Sequence, residues 1–287
     1  MKYLIIGNKG QLGSHFDRFF KSNNLKYTGL DLPELDITGQ NEVFRKLNEI
    51  NPEIVINCSA YNFVENAEQN PDPAFKVNSE GVSNIVKACI KNNCFLVHYG
   101  TNHVFDGKKE TPYLETDSVN PINQYGKSKL AGEEIIRKEL PNNHLIVRTS
   151  WLYGEGTQNF IYKFLKRNDE GRELVGVVDE IASPTSTKLL VDITIKALEK
   201  KLKGLYHVSN SGSASRWDWA NEILNIIGKP KEIEKVNVKY FNLLAKLPIN
   251  ATLDCAKISK DLGVSIPNWK EELRRFMEKQ NYFNPKS

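Results

Sequence analysis

The sequence contains little cysteine, and none of it lies in an arrangement typical of metal sites. Its four cysteines form no CxxC pair, and no cluster of cysteine and histidine has the spacing of zinc ligands. Cys58 lies in an apolar strand pattern and Cys89 in a helical one, so both are expected to be small buried side chains. We therefore expect reduced thiols, a cytoplasmic protein and no bound metal.

Long apolar runs and long basic runs are also lacking. No apolar stretch approaches the roughly 18–20 residues that span a bilayer, and the apolar run near the N-terminus is too short for a signal-peptide core. The net charge of +4 is spread along the chain, which argues against nucleic-acid binding. We expect neither a membrane nor a nucleic acid as a partner.

The chain does contain apolar runs that alternate with amphipathic stretches. The apolar runs, interpreted as buried strands, are 3–7, 27–31, 53–60, 95–100, 144–154 and 204–210. The helical stretches between them are 11–22, 40–49, 72–92, 124–139 and 187–202. Strands that are apolar throughout and separated by helices form parallel sheets covered on both faces. The pattern therefore predicts an α/β fold with a Rossmann-like, doubly wound parallel sheet.

The alternation stops after residue 154, which indicates a smaller, mostly helical lobe. Helices are predicted there at 159–168, 215–227, 241–246, 256–262 and 269–278. We assign 1–152 plus 187–210 to a dinucleotide-binding domain and 153–186 plus 211–287 to a substrate-binding lobe. Ligands of open α/β sheets lie beyond the carboxyl ends of the strands, so the site is expected between the lobes.

A glycine-rich loop follows the first predicted strand, with the sequence GNKGQLG at 7–13. Gly7 would allow the tight turn, Gly10 would let the backbone approach a pyrophosphate, and Gly13 would let helix and strand pack closely. Gln11 and Leu12 lie within the same loop, at the start of the helix whose N-terminus would hold the phosphates. The loop predicts binding of a nicotinamide dinucleotide.

Asp31 ends the second predicted strand, 18 residues after Gly13, where a carboxylate would bind the adenosine ribose. Because a carboxylate repels a 2′-phosphate, NADH is favoured and NADPH stays open. No arginine stands beside Asp31, although Lys26 precedes the end of the strand. Asp36 and Ile37 would cap the adenine, with the alternative that Asp36 is only a turn residue.

Tyr125 and Lys129 are four residues apart in the stretch PINQYGKSKL, so on a helix they share one face. A tyrosine pKa of about 10 is too high for easy proton exchange, and a nearby ammonium lowers it. Such a phenol can give a proton to a carbonyl oxygen as hydride reaches the carbon. Thr101, at the end of a neighbouring strand, could polarise the same carbonyl.

Taken in this order, these motifs resemble the extended short-chain dehydrogenase/reductases, and in particular the dTDP-4-dehydrorhamnose reductase family. The matching stretches include IIGNKGQLG, NPEIVINCSAYNFVENAE, VNSEGVSNIVKAC, VHYGTNHVFDG, LETDSVNPINQYGKSKLAGE, IVRTSWLYG and PTST. The resemblance implies NAD(P)H-dependent reduction of the 4-keto group of a dTDP-4-keto-6-deoxyhexose, the last step to dTDP-L-rhamnose. A nucleotide sugar is thus the expected partner.

The resemblance also implies roles for individual residues. The catalytic triad falls on Thr101, Tyr125 and Lys129. Further cofactor contacts fall on Cys58, Ser59, Ala60, Tyr61 and Asn78, and positions near the sugar nucleotide fall on Trp151 and Thr185. Trp217 and Arg216 are weaker candidates for contacts with the diphosphate.

The chain departs from the family pattern beside the catalytic threonine. The usual STDYVF is here GTNHVF, so Asn102 and His103 replace residues that help to bind the sugar. His103 is interpreted as a substrate ligand or additional donor, with the alternative of a polar residue at the pocket rim. VDKAE and QxGxPT are changed to VENAE and EIASPT. Some members of the family bind magnesium between subunits through glutamates. The first of these glutamates corresponds to His15 here, so we do not expect that metal site in this chain.

Two other functions stay open at the level of sequence. One is a reductase for a different nucleotide-linked deoxysugar, which would keep the hydride chemistry. The other is a non-catalytic, NAD(P)-binding regulatory subunit resembling that of methionine adenosyltransferase, which the complete triad argues against. The sugar, the base and the oligomeric state, including a homodimer, are not fixed by the sequence.

Overall fold

The computed structural model describes residues 1–280. Its strands are β1 (Tyr3–Ile6), β2 (Tyr27–Leu30), β3 (Ile54–Asn57), β4 (Phe95–Thr101), β5 (His144–Thr149), β6 (Leu152–Tyr153), β7 (Val175–Val177), β8 (Ile181–Ala182), β9 (Thr185–Ser186), β10 (Gly204–His207), β11 (Ala214–Ser215) and β12 (Glu234–Val236). Its α-helices are α1 (Gln11–Ser22), α2 (Gln40–Ile50), α3 (Val64–Gln69), α4 (Asp72–Phe75), α5 (Val82–Asn92), α6 (Gln124–Glu139), α7 (Phe160–Asp169), α8 (Thr187–Glu199), α9 (Arg216–Ile226), α10 (Ala256–Leu262) and α11 (Trp269–Lys279).

The central sheet has six parallel strands in the order β10–β5–β4–β3–β1–β2. Strand β1 has β2 on one side and β3 on the other, with Ile5 paired to both Gly29 and Ile56. The chain therefore reverses its direction of travel across the sheet between β1 and β3. Such a reversal opens a crevice at the carboxyl ends of the strands. The predicted doubly wound parallel sheet is confirmed.

Both faces of the sheet are covered, which explains why its strands are apolar at successive positions. Ile5 and Ile56 belong to the core on the face of α1 and α8. Leu4 and Val55 belong to the opposite core, which includes side chains of α2, α5 and α6. All four side chains are fully or almost fully buried. Burial of a side chain of this size stabilises the fold by about 1.5–3 kcal/mol.

A separate apolar cluster lies outside the sheet and is built mainly by α7, α9 and α11. Trp219 is fully buried at its centre, together with Tyr153, Ile223 and Leu273. Three short strand pairs accompany these helices: β6 with β9, β7 with β12, and β8 with β11. The proposed boundaries between two domains stay a prediction, and residues 281–287 of the second lie outside the described residues.

The predicted helix at 241–246 is wrong. The chain forms a short 3₁₀ turn at Val238–Phe241 and then continues irregularly. The backbone amides of Leu244 and Ala245 donate to the Glu65 carboxylate at 2.7 and 3.2 Å instead of to helical carbonyls. Tertiary hydrogen bonds thus replace the local ones that the composition favoured.

Other element boundaries also differ from the predictions. Helix α3 was not predicted, and the stretch 72–92 contains a π-helical segment at Lys76–Gly81 between α4 and α5. The predicted strand 144–154 is divided by Trp151, which has a positive φ of 41°. In residues 1–280, no helix combines the length and apolar character needed to cross a membrane.

Candidate active site

A cavity of about 680 Å³ opens beyond the carboxyl ends of β1, β3, β4 and β5. Most of the residues predicted from the sequence line it: Gly7, Gly10, Gln11, Leu12, Asp31, Asp36, Ile37, Cys58, Ser59, Ala60, Tyr61, Thr101, Asn102, His103, Tyr125, Lys129 and Trp151. Five predicted residues lie outside its lining: Gly13, Asn78, Thr185, and the two weaker candidates Arg216 and Trp217. The structure therefore gathers into one cavity residues that are far apart in the sequence.

The glycine loop shapes the inner end of this cavity. Gly7 has a positive φ of 79°, and a Cβ there would lie 2.8 Å from the Ser59 amide nitrogen. A Cβ on Gly13 would overlap the Gly7 carbonyl oxygen, so α1 can approach β1 only because Gly13 lacks a side chain. A Cβ on Gly10 would meet only Gly7 O, at 3.4 Å. Gly10 is the N-cap of α1, so its exposed side leaves the first helical amides accessible to a phosphate.

Asp31 lies at the end of the cavity beyond β2. Its carboxylate accepts hydrogen bonds from the backbone amides of Lys9 at 2.9 Å and Leu32 at 2.8 Å. The Lys9 ammonium binds Glu34 at 2.9 Å and the Leu32 carbonyl at 3.2 Å. Lys9 was not predicted as a site residue, although its position inside the glycine loop could have indicated it.

Asp36 forms a local turn beside the same end of the cavity. Its Oδ1 accepts from the Thr38 amide at 2.9 Å and the Thr38 hydroxyl at 2.8 Å. Ile37 is buried and packs against Gly81. A Cβ on Gly81 would lie 2.7 Å from the Ile37 side chain. Asp36 thus forms a local turn and Ile37 packs beside it, and both residues line the cavity; their contact with the adenine stays a prediction.

The segment after β3 is held in place by two buried asparagines. Asn57 Oδ1 accepts from Ser59 N at 3.1 Å and from Ser59 Oγ at 2.6 Å. Asn78 accepts from Tyr61 N at 2.9 Å and donates to Tyr61 O and to Ser128 Oγ, both at 3.0 Å. Asn78 thus acts on the cavity through the backbone of Tyr61 rather than by lining it.

Two side chains fix the start of α6, which carries the predicted catalytic pair. Asn123 is the N-cap and accepts from Gly126 N at 2.8 Å, while the Glu68 carboxylate accepts from Gln124 N at 2.8 Å. Capping satisfies amides that have no helical partner and sets the rotation of the helix. Tyr125 and Lys129 consequently both line the cavity.

The pKa values in this pair are governed by burial. Burial raises the pKa of Tyr125 to about 12; a hydrogen bond with Thr101 opposes the rise and the Glu133 charge adds to it. Burial lowers the pKa of Lys129 to about 8, against the attraction of Glu133. The Lys129 ammonium donates to the Tyr99 carbonyl at 2.6 Å. The protein's own groups therefore do not make the phenol acidic, contrary to the expectation from its spacing to Lys129.

Thr101 is buried at the end of β4, next to the phenol. Its hydroxyl accepts from His103 N at 3.2 Å and donates to Asn102 Oδ1 at 3.4 Å. Asn102 is itself buried and donates to the Ala251 carbonyl at 3.1 Å. Asn102 therefore ties the loop after β4 to the segment around Ala251, which limits its freedom to bind a sugar.

His103 lies edge-on against the Tyr125 ring, with 5.4 Å between the ring centroids. Because Asn123 Oδ1 accepts from Gly126, its Nδ2 faces His103 Nδ1 at 3.1 Å and acts as the donor. Burial lowers the pKa of His103 to about 4. At neutral pH the imidazole is therefore uncharged and carries its proton on Nε2, available for donation.

Trp151 also lines the cavity, and the Arg216 guanidinium lies 3.7 Å above its ring centroid. Pairing of β8 with β11 places Arg216 beside Glu180, with Nε and Oε2 3.3 Å apart. Thr185 is fully buried; its amide donates to the Trp151 carbonyl at 3.1 Å and its hydroxyl to Ser183. Thr185 supports Trp151 and does not face the cavity.

Trp217 was a weaker sequence candidate, and the structure assigns it to packing. Its Nε1 donates to the Ile233 carbonyl at 3.0 Å, and its backbone and ring lie over Gly176. The residues that sequence reasoning missed include Asn62 and Phe63, which line the cavity directly after Tyr61. The Tyr125 hydroxyl lies 3.5 Å from Asn62 Oδ1.

His15 occupies the position that is a metal-binding glutamate in some members of the family, and its surroundings here differ. His15 Nδ1 lies 2.9 Å from the Thr187 hydroxyl, and burial lowers the pKa of His15 to about 4. Within the described part of the chain, no three or more side chains of His, Cys, Asp or Glu form a group that could hold a metal.

A doubly wound sheet with a glycine loop, a carboxylate after β2 and a Tyr–Lys pair beyond β4 defines an NAD(P)-dependent oxidoreductase of the short-chain dehydrogenase/reductase class. The family model described as RmlD substrate binding domain matches residues 1–282. The chain belongs to the dTDP-4-dehydrorhamnose reductase family.

Individual relatives are similar over nearly their whole length. A dTDP-4-dehydrorhamnose reductase of Aggregatibacter actinomycetemcomitans is 34% identical, with 95% of this chain and 97% of the relative covered. The crystal structure of a dTDP-4-dehydrorhamnose reductase from Clostridium acetobutylicum superposes with a TM-score of 0.94 at 33% identity, covering 98% of this chain and 100% of the other. The Bacillus anthracis enzyme, solved in complex with NADP, gives a TM-score of 0.93 at 34% identity, covering 97% and 99%.

Proposed function

We propose that this protein uses NAD(P)H to reduce the 4-keto group of a nucleotide-activated 4-keto-6-deoxyhexose, with dTDP-4-dehydrorhamnose as substrate and dTDP-L-rhamnose as product. The observation that carries the proposal is the meeting of Thr101, Tyr125 and Lys129 in the cavity that the glycine loop enters. The names of the similar reductases support the choice of substrate. The product would serve the synthesis of surface polysaccharides.

The cofactor half of the cavity fits a dinucleotide. Gly7 and Gly13 permit an approach of backbone segments that any Cβ would block, and Gly10 leaves the N-terminus of α1 accessible. Asp31 would accept from the adenosine ribose, and Ile37 would pack against the adenine. Lys129, one turn after Tyr125, would bind the nicotinamide ribose. The cofactor supplies the hydride that reduces the carbonyl carbon.

Tyr125 would donate the proton that the reduced oxygen requires. With its pKa raised to about 12, the phenol holds its proton throughout the neutral range, which suits a general acid in the direction of reduction. Thr101, next to the phenol, would turn its single hydroxyl proton from Asn102 Oδ1 toward the same carbonyl oxygen and hold that oxygen in place. A charged Lys129 favours proton release at the moment of transfer.

The sugar nucleotide would occupy the half of the cavity between His103 and Trp151. Neutral His103 offers an Nε2–H donor to a sugar hydroxyl. Arg216, stacked on Trp151 and 27% exposed at its side chain, offers a cation to the diphosphate. Asn102 is the weaker candidate because its amide group already binds the Ala251 carbonyl.

We propose a preference for NADH, since the Asp31 carboxylate would repel a 2′-phosphate. The Lys9 ammonium, which binds Glu34 near Asp31, is a cation that would attract a 2′-phosphate and so favour NADPH. NADP binding by the Bacillus anthracis relative is a property of that protein. Steady-state kinetics with both cofactors test the preference: a higher kcat/KM with NADPH than with NADH would contradict it.

The reaction is tested with purified protein, NADH or NADPH, and a panel of 4-keto-6-deoxy sugar nucleotides, by following the loss of nicotinamide absorbance. Turnover is expected to be fastest with dTDP-4-dehydrorhamnose, and NMR of the product should give the L-rhamno configuration at C4. Faster turnover of another sugar would change the proposed substrate. Cofactor binding without turnover of any of them would favour the regulatory alternative.

The cellular setting and the assembly are part of the proposal. All four cysteines are free, which supports a location in the reducing cytoplasm. A homodimer stays a prediction, and sedimentation of the purified protein tests it.

A further inference from the structure

Helix α6 carries a third ionisable side chain beyond Tyr125 and Lys129. Glu133 lies one turn after Lys129, and its side chain is fully buried. Its carboxylate binds the guanidinium of Arg148 on β5, with Oε2 2.7 Å from Nη2 and 2.9 Å from Nε. A complete ion pair is therefore enclosed within two helical turns of the phenol.

Stability is a weak reason for this arrangement. Buried ion pairs are often no more stabilising than apolar side chains of the same volume, because both charges lose their hydration. Arg148 Nη1 has no hydrogen-bond partner within residues 1–280. Gly100 of β4 provides the space for the pair: a Cβ there would overlap Glu133 Oε1 and lie 2.9 Å from Arg148 Cγ.

The other groups around Lys129 indicate what the pair does. Burial opposes the charge on Lys129, and Glu133 is the foremost of the groups that favour it. Cys58, after β3, and His98, on β4, also face this region, but burial raises the pKa of the thiol and lowers that of the imidazole. Tyr125 is protonated as well. Glu133, ion-paired with Arg148, is therefore the negatively charged group that acts on Lys129.

Arg148 determines how that anion acts. It engages both carboxylate oxygens, with Oε1 also 3.2 Å from Nε, so the carboxylate is fixed against β5. The Lys129 ammonium accordingly donates to the Tyr99 carbonyl at the cavity and not to Glu133. The carboxylate attracts the ammonium from a distance without drawing it away from the cavity.

We propose that Glu133, clamped by Arg148 in the space left by Gly100, is a positioning residue that keeps Lys129 charged and aimed into the cavity. The inference rests on the functions proposed above for Tyr125 and Lys129. It predicts that the pair controls the pH at which the enzyme loses activity.

The test is the pH dependence of kcat for NADH-dependent reduction, together with the pH dependence of NADH binding by fluorescence, which requires no turnover. Glu133→Gln alone leaves Arg148 without a counter-ion, so the double variant Glu133→Gln/Arg148→Met is the main test. The alkaline limb of its pH profile is expected up to about one pH unit lower than that of the wild type in both measurements, because Glu133 and not Arg148 is among the groups that act on Lys129. Arg148→Lys, which retains both charges, is expected to keep the wild-type limb.

Gly100→Ala provides a second variant, since its Cβ would displace the carboxylate without removing a charge; its limb is expected to move in the same direction. If the alkaline limbs of the pH profiles stay at the wild-type pH in both the double variant and Gly100→Ala, the inference is overturned. The ion pair would then have only a structural role. Lys129→Met separates this failure from failure of the proposed function. Full activity in Lys129→Met would reject the role of Lys129 itself, whereas inactivity with unshifted limbs would reject only the role of Glu133.

Discussion

The guanidinium of Arg216 lies 3.7 Å above the ring centroid of Trp151, a residue that lines the cavity. Trp151 adopts a positive φ of 41°, and its ring is stacked on Trp219 with 5.9 Å between centroids. The ring is thus fixed between a buried indole and a half-buried cation. Arg216 stays beside the cavity through its contact with Glu180.

This contact leads to a prediction about substrate affinity. Arg216→Ala should raise the KM for the sugar nucleotide about tenfold or more with little change in the KM for NADH, because a hydrogen bond to a charged diphosphate contributes about 1.5–3 kcal/mol. Lys235→Ala is the matched control, since Lys235 covers Trp217 in the same way at 4.3 Å. Equal effects in the two variants would show that the loss reflects packing rather than substrate binding.

Removal of one hydroxyl tests the proton donor. Tyr125→Phe should lower kcat by about 10²–10⁴-fold and leave the Kd for NADH within about twofold of the wild type. The ring still packs against His103, so folding should be unaffected. Tyr240→Phe, at an exposed tyrosine, is the control. The assignment fails if Tyr125→Phe retains turnover, or if calorimetry shows that it has lost NADH binding.

Two glycines of the loop should respond differently to the same substitution. Gly13→Ala should destabilise the fold by about 1–3 kcal/mol, because the new methyl group would overlap the Gly7 carbonyl oxygen. Gly10→Ala has room in the structure and should keep the wild-type unfolding midpoint while weakening NADH binding. Denaturant unfolding and calorimetry measure the two effects. Unchanged NADH binding in Gly10→Ala would exclude a close phosphate contact there.

Acid sensitivity should arise partly from a buried imidazole. Burial lowers the pKa of His207 to about 3, and an unfolded histidine has a pKa near 6.5. Between these values the unfolded chain binds a proton that the folded protein does not, so stability is complete above pH 6.5 and is lost as the pH falls toward 3.

The measurement compares Tm at pH 7 and pH 4.5 for the wild type and for His207→Gln. Acidic carboxylates will lower the Tm of both proteins, so the informative quantity is the difference between their pH-induced losses. The wild type should lose about 5 °C more than the variant. Identical losses would mean that His207 does not contribute to acid unfolding.

Much of the fold could be predicted because its signals are local. The run at 3–7 is apolar throughout since both faces of β1 are buried, and the glycine spacing at 7–13 follows from the close approach of α1 to β1. The prediction failed at 241–246, where apolar composition suggested a helix. There Glu65, distant in the sequence, binds the backbone amides, and no local pattern contains that information.

The type of sheet, the glycine loop and the order of Thr101, Tyr125 and Lys129 could be inferred from the residues alone. The surroundings of these residues depend on packing between distant segments: Glu133 meets Arg148, Arg216 covers Trp151, and burial raises the pKa of the phenol. The physical reason is the difference in range between the two kinds of interaction. Periodicity and spacing act within a few turns of chain, whereas burial and charge depend on every segment that packs around a group.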